Sequence, residues 1–165
     1  MPLPEPVVSN SGPLITLATI GRLALLEALF KEIAVPQAVY DEVVTHGAGE
    51  PGSAETAAAT WIRIVQVRDE LAVNLLQESL GAGESEAIVL AQELNAKHVL
   101  IDDALARRKA GHIGLRVTGT LGILLMAREA GLILAVKPAL DELRQTDFRM
   151  SERVYQDVLG KAGEV

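Results

Sequence analysis

The carboxylates of this chain, rather than its basic groups, carry the residue types on which chemistry could rest. Asn10, Glu42, Glu84 and the adjacent pair Asp102 and Asp103 each fall next to a break between apolar runs. Several carboxylates brought to one spot repel each other unless a cation neutralises them. A site built from such groups is all oxygen, which favours Mg²⁺ or Mn²⁺ over Zn²⁺. The 165 residues include no cysteine, so a thiolate metal site, a thiol nucleophile and a disulfide framework are excluded. His46, His98 and His112 show no metal-ligand spacing.

Each residue also has a plainer reading. Asn10 suits a turn or a helix cap before Pro13, and one of Asp102 and Asp103 suits the cap of the next helix. Glu84 and Glu86 suit the first turn of a helix, where acids complement the dipole. Glu42 fits a solvated helix face, as do Arg107, Arg108 and Lys109. Only the combination raises a functional reading above these.

The elements that must position these groups follow from patterning. Short continuous apolar runs at Val7-Val8, Ile33–Val35 and His98–Ile101 read as buried strands, with further strands at Trp61–Val67 and Leu115–Val117. Helical stretches separate them: 14–30 with a break at Gly21, a stripe after Pro36 with Val39 and Val43, a short Ala-rich helix at 53–60, then 71–80, 84–95, 104–110 and a helix from Gly119 to Ala130. Two more helices, about 137–146 and 151–160, close the chain. Strands alternating with helices predict a parallel sheet covered on both faces. In such sheets ligands gather beyond the carboxyl ends of the strands. Asn10 follows the first strand there, Asp102 and Asp103 follow another, and Thr118, Gly119 and Thr120 follow the last. Glu84 leads a helix whose Ala87, Ile88 and Ala91 share its face, so its carboxylate is aimed at the sheet edge rather than into water.

Composition bounds the partners. Apolar residues make up 49%, enough for a core, and aromatics are 3%, which argues against a base-stacking platform. The net charge of −7 excludes a generic basic coat for nucleic acid. The excess is uneven: between 97 and 116 five basic residues face two acidic ones, beside the Asp102-Asp103 pair. The first residues lack a basic segment and a sustained apolar run, and no apolar stretch reaches the roughly 20 residues that span a bilayer. The expectation is a cytoplasmic protein with no membrane contact.

With VVSNSGPLITLATIGRLALL at 7–26, VPQAVYDEV at 35–43, GAGESEAIVLA at 81–91, VLIDDALAR at 99–107 and VTGTLGILLMAREAGLI at 117–133, the chain resembles PIN-domain proteins, and most closely a PIN-like subgroup of predicted nucleic-acid-binding proteins related to VapC-type toxin ribonucleases. The resemblance implies a three-layer α/β/α fold with a central parallel sheet of four or five short strands. It implies one PIN-like domain over 1–165, with 137–165 as a helical extension packed on it. It also implies a Mg²⁺- or Mn²⁺-dependent endoribonuclease acting on single-stranded RNA, commonly a homodimer and the toxin half of a pair silenced by a small antitoxin protein. Residue by residue, the family's catalytic positions fall on Asn10, Glu42, Glu84 and Asp103. Metal ligation falls to Glu42, Glu84, Asp102 and Asp103, and contact with the nucleic acid to Arg107, Arg108, Lys109, Thr118 and Thr120.

One departure matters. PIN nucleases carry aspartate at the position of Asn10. Asparagine keeps an oxygen donor but brings no charge, so metal affinity is expected to fall. The alternative is a catalytically weakened module that binds nucleic acid or protein. A phosphotransfer receiver of flavodoxin-like type ranks lower, because no acidic pair follows the first strand. A dinucleotide site ranks lower still, because GAGES lacks the third glycine.

Overall fold

The computed structural model describes residues 5–165; residues 1–4, part of the stretch read as lacking a secretory pattern, lie outside the described residues. Five parallel strands form one sheet in the order β3-β2-β1-β4-β5. They are β1 (Val7–Ser9), β2 (Ile33–Val35), β3 (Ile62–Ile64), β4 (His98–Leu100) and β5 (Val117–Thr118). Register is set by Val8 opposite Ala34 on one side of β1 and opposite Val99 on the other.

Side chains alternate across a strand, so each strand feeds two cores. Val7, Ile33, Val35 and Leu100 face one layer, built from α1 (Ser11–Thr19), α2 (Ala24–Phe30), α8 (Thr120–Glu129), α9 (Lys137–Leu143) and α10 (Glu152–Ala162). Val8, Ala34, Val99 and Ile101 face the other, built chiefly from α6 (Ala82–Glu93) and α7 (Ala104–Ile113). The result is a three-layer α/β/α fold. The connections from β1 to β2 and from β2 to β3 step one way across the sheet. Those from β3 to β4 and from β4 to β5 step the other way and use the opposite layer, as right-handed crossovers require. The direction reverses between β1 and β4, and a crevice opens beyond their carboxyl ends.

Several boundaries differ from the sequence reading. The strand expected over 61–67 pairs only at Ile62–Ile64, because β3 is an edge strand with β2 as its one neighbour. The strand expected at 115–117 sits later, at Val117–Thr118, with Arg116 and Thr118 accepting from β4 backbone N–H groups. The helix expected at 71–80 is the shorter α5 (Glu70–Leu76), and the Ala-rich helix α4 ends at Ala58 (Ser53–Ala58). The helix after Pro36 is not uniform: α3 (Gln37–Tyr40) widens into a π-helical turn at Asp41–Thr45, where His46 N–H reaches the Asp41 carbonyl at 2.7 Å. Such turns recur at functional sites, and this one carries Glu42.

The last two helices join the first layer. Leu140, Leu143, Tyr155, Val158 and Leu159 are buried in the same cluster as Leu14 and Ile123. Glu164 accepts the backbone N–H of Val136 at 2.8 Å and of Lys137 at 3.1 Å, supplying partners to the start of α9. Tyr155 donates to Asp141 at 2.6 Å, and the Arg144 guanidinium lies 3.3 Å from the Tyr155 ring centre.

Candidate active site

β1 ends at the crevice, and Asn10 is the first residue beyond it. Its backbone N–H donates to the Leu100 carbonyl at 2.9 Å, which ties the end of β1 to that of β4. Asn10 occupies the cap position of α1 in an extended conformation, yet its side chain makes no capping bond. Its Oδ1 is buried and has no hydrogen-bond partner. A buried polar atom left unpaired is costly, so this oxygen stands out.

Glu42 faces the same point. One of its carboxylate oxygens accepts from Ser11 Oγ at 2.6 Å, so the first turn of α1 orients the side chain from the π-helical turn. Gly83, in the first turn of α6, packs directly against both groups. A Cβ at this glycine would lie 3.1 Å from each Glu42 carboxylate oxygen and 3.3 Å from Asn10 Oδ1. The absence of a side chain at 83 leaves the space into which these three oxygens project.

Glu84 and Asp103 complete the edge. Ala87, Ile88 and Ala91 are buried beneath Glu84, which is half-buried. Burial raises the proton affinity of Glu84 above the ordinary glutamate range; Asp103 adds to the rise, a backbone hydrogen bond at Gly81 opposes it, and Glu42 adds further. Asp103 caps α7, its Oδ2 accepting from the Ala106 N–H at 2.9 Å, and remains exposed. The capping reading is therefore correct for Asp103 and coexists with its place at the edge.

Asp102 is turned another way. One of its oxygens accepts the Thr120 N–H and the other the Thr120 hydroxyl, each at 2.7 Å. It thereby locks the end of β4 to the start of α8. Burial raises its proton affinity, while the two Thr120 bonds and the Arg107 charge pull it back without cancelling the rise. Arg107 lies over Gly119, where its guanidinium occupies the space a side chain would take.

The residues expected to meet nucleic acid divide. Arg107 and Arg108 are exposed and border a shallow groove of about 570 Å³ with Asp102, Ala104 and Gly111. Lys109 is half-buried. Thr120 is fully buried under its two bonds to Asp102, and Thr118 Oγ1 lies 3.2 Å from His98 Nδ1. Thr120 is thus turned into the fold, while Thr118, the last residue of β5, is half-buried. A second groove, of about 640 Å³, runs from Glu42 past Ile15, Thr16 and Glu50 to the turn at Thr146–Phe148. Its rim is acidic.

The structure thus brings Asn10, Glu42, Glu84 and Asp103 to one edge and ties Asp102 to Thr120. Among the described residues, no three His, Asp or Glu side chains stand close enough to hold an ion by themselves. The donor set still suits an oxygen-seeking divalent ion: an orphaned amide oxygen, a carboxylate beside it, and two further carboxylates within electrostatic reach. Ser11 and Gly83 were not read from the sequence. Ser11 lies in SNSG and Gly83 in GAGES, but neither motif says which carboxylate it meets.

A crevice at the switch point of a parallel sheet, edged by acids, defines the place where an α/β protein of this topology takes its ligand. The chain belongs to the PIN-domain family, whose model matches residues 6–164. No curated protein matches the chain. Among the described residues, no helix is long and apolar enough to cross a membrane.

Proposed function

We propose that this chain is a Mg²⁺- or Mn²⁺-dependent endoribonuclease that cuts single-stranded RNA in the cytoplasm, as the toxin component of a toxin–antitoxin pair. The observation that carries the reading is Asn10 Oδ1: buried, unpaired and facing the Glu42 carboxylate across Gly83. An acceptor beside an acceptor is unfavourable in a half-buried crevice, and a cation between them resolves the conflict.

Glu42, Glu84 and Asp103 would hold the ion, in part through bridging waters, with Asn10 as a neutral oxygen donor. When bound, the ion lowers the pKa of a water and neutralises charge on the phosphate. The protein's own work is positional. Ser11 fixes Glu42, the cap bond fixes Asp103, and burial raises the proton affinity of Glu84, so loading the site would displace a proton in the pH range where Glu84 titrates. Asp102, held by Thr120 through both oxygens, would brace the floor and add its charge to the ion's surroundings. Arg107 and Arg108 meet the RNA backbone on the basic side.

The reading extends to the whole molecule. Residues 1–165 form one domain, with 137–165 as an extension on the first layer, a reading supported by Leu140, Tyr155 and Leu159 in its core. A homodimer and a small antitoxin protein are the expected partners.

A second reading has its own support. Asn10 is uncharged, and among the described residues no three acidic groups lie within direct reach of one ion, which favours a weakened module that binds RNA without cutting it. Cleavage of a single-stranded RNA with Mn²⁺ by the wild type and by Asp103→Asn separates the two. The nuclease reading expects cleavage that the variant loses; equal cleavage, or none by the wild type, contradicts it.

A further inference from the structure

A third concavity lies beside the acidic edge, beyond the carboxyl ends of β2 and β3. It measures about 360 Å³, within the range of small-ligand sites, and is lined by Gln37, Gln66, Glu70, Asn74, Gln77 and Glu86 over Val67 and Val73. No lysine or arginine lines it, so it is not built for a phosphate. Four side-chain amides and two carboxylates instead offer neutral donors and a surplus of acceptors above an apolar floor.

This hollow shares two walls with the acidic edge. Gln37 begins the helical segment that carries Glu42, and Glu86 follows Glu84 on α6. A hydrogen-bond chain runs between them: Gln66 Nε2 donates to Gln37 Oε1 at 3.1 Å, and Gln37 Nε2 donates to Asp41 Oδ1 at 2.9 Å, next to Glu42. Glu86 accepts the Ala38 N–H at 3.1 Å through one oxygen. These bonds fix the back of the hollow. Glu70 and Asn74 face it from α5 and Gln77 from the residue after it, with their side-chain polar groups free of protein partners among the described residues.

We propose that this hollow seats one nucleobase of the bound RNA, and that it prefers an amino-bearing base, adenine first, over uracil. The inference rests on the RNA reading of the neighbouring edge. Side-chain amides pair in two-point fashion with the amino and ring nitrogens of adenine, and carboxylates accept from exocyclic amines. Uracil carries no exocyclic amine: its one base-edge donor, N3–H, can satisfy a single carboxylate and leaves the other facing its carbonyls. The hollow supplies base discrimination that the arginines on the other side of the edge, meeting backbone phosphates, do not.

The test measures binding, not cutting. Fluorescence anisotropy without divalent metal compares labelled six-nucleotide oligoadenylate and oligouridylate on the wild type and on the double variant Asn74→Ala/Gln77→Ala. Both residues are exposed, so the fold should hold, and circular dichroism checks it. The wild type should bind oligoadenylate about tenfold more tightly, and the variant should lose that preference while keeping its oligouridylate affinity. Equal binding of both oligonucleotides by the wild type, or a preference unchanged in the variant, overturns the proposal and leaves the nuclease reading standing. Absence of binding to either oligonucleotide overturns it as well, and Mn²⁺-dependent cleavage then decides the nuclease reading separately.

Discussion

Two grooves border the acidic edge, one lined by Glu42 and the other by Asp102 and Ala104, and they differ in charge. The one between α1 and the Thr146–Phe148 turn is rimmed by Glu42, Glu50 and Asp147; the one along α7 presents Arg107 and Arg108. A polyanion is repelled from the first and drawn to the second. On the proposed function, an RNA backbone would follow the second groove rather than the larger first one. A net charge of −7 is compatible with nucleic acid because the acids and bases lie on different sides of one edge. Under the proposed function the contrast separates two jobs: the acids would organise a cation, while the arginines would orient a strand.

The largest expected effects come from the acidic side of the edge. Glu42→Gln and Asp103→Asn should each lower the RNA cleavage rate by at least about a hundredfold, since each removes a charge from the ion's surroundings. Asparagine at 103 can still cap α7, so an unchanged melting temperature would show that chemistry, not folding, was lost. Asn10→Asp works in the opposite direction. It should tighten Mn²⁺ binding by about tenfold in calorimetry and destabilise the metal-free protein, because it buries a further charge beside Glu42. If its stability without metal equals that of the wild type, Asn10 does not face the carboxylate as described.

Gly83→Ala is a finer probe. Its methyl group would press on the Glu42 oxygens and on Asn10 Oδ1, the ends of side chains that can give way. The fold should survive while cleavage falls about tenfold through the displaced carboxylate. On the basic side, Arg107→Ala should weaken RNA binding and reduce the salt slope by about one. Asp147→Ala, in the acidic groove, should leave that slope unchanged. Equal losses in the two variants would erase the distinction between the grooves.

The smallest effect is on pH dependence. Burial raises the Asp102 carboxyl above its ordinary value of 3.8. The folded state therefore prefers the protonated form. Stability is fully present below the unfolded value, falls as pH rises through the window up to the folded value, and is flat above it. Asp102→Asn should flatten that decline in a series of urea melts. A decline of the same size in the variant would place its source elsewhere.

Much of the fold was legible because parallel strands buried on both faces read as continuous apolar runs, as Ile33–Val35 and His98–Leu100 do. Asn10 and Asp103 were legible because they stand immediately after such runs. The edge strand β3 was overextended: Trp61–Val67 alternates throughout, but pairing stops where β2 ends. The π-helical turn under Glu42 left no periodic signature in five residues. The turning of Asp102 toward Thr120 was also hidden, because the two are distant in sequence and meet only once β4 and β5 pair. Composition could not announce the contact of Gly83 with Glu42, since a glycine after a break reads as punctuation.

The account turns on whether the edge formed by Asn10, Glu42, Glu84 and Asp103 receives a divalent ion. Calorimetric titration of the wild type with Mn²⁺, repeated on Asp103→Asn, addresses that directly. The account predicts one saturable binding event with release of protons near the Glu84 titration, strongly weakened in the variant. Identical titrations for the two proteins, or no heat at millimolar Mn²⁺ from a wild type that nonetheless cuts RNA, would contradict it.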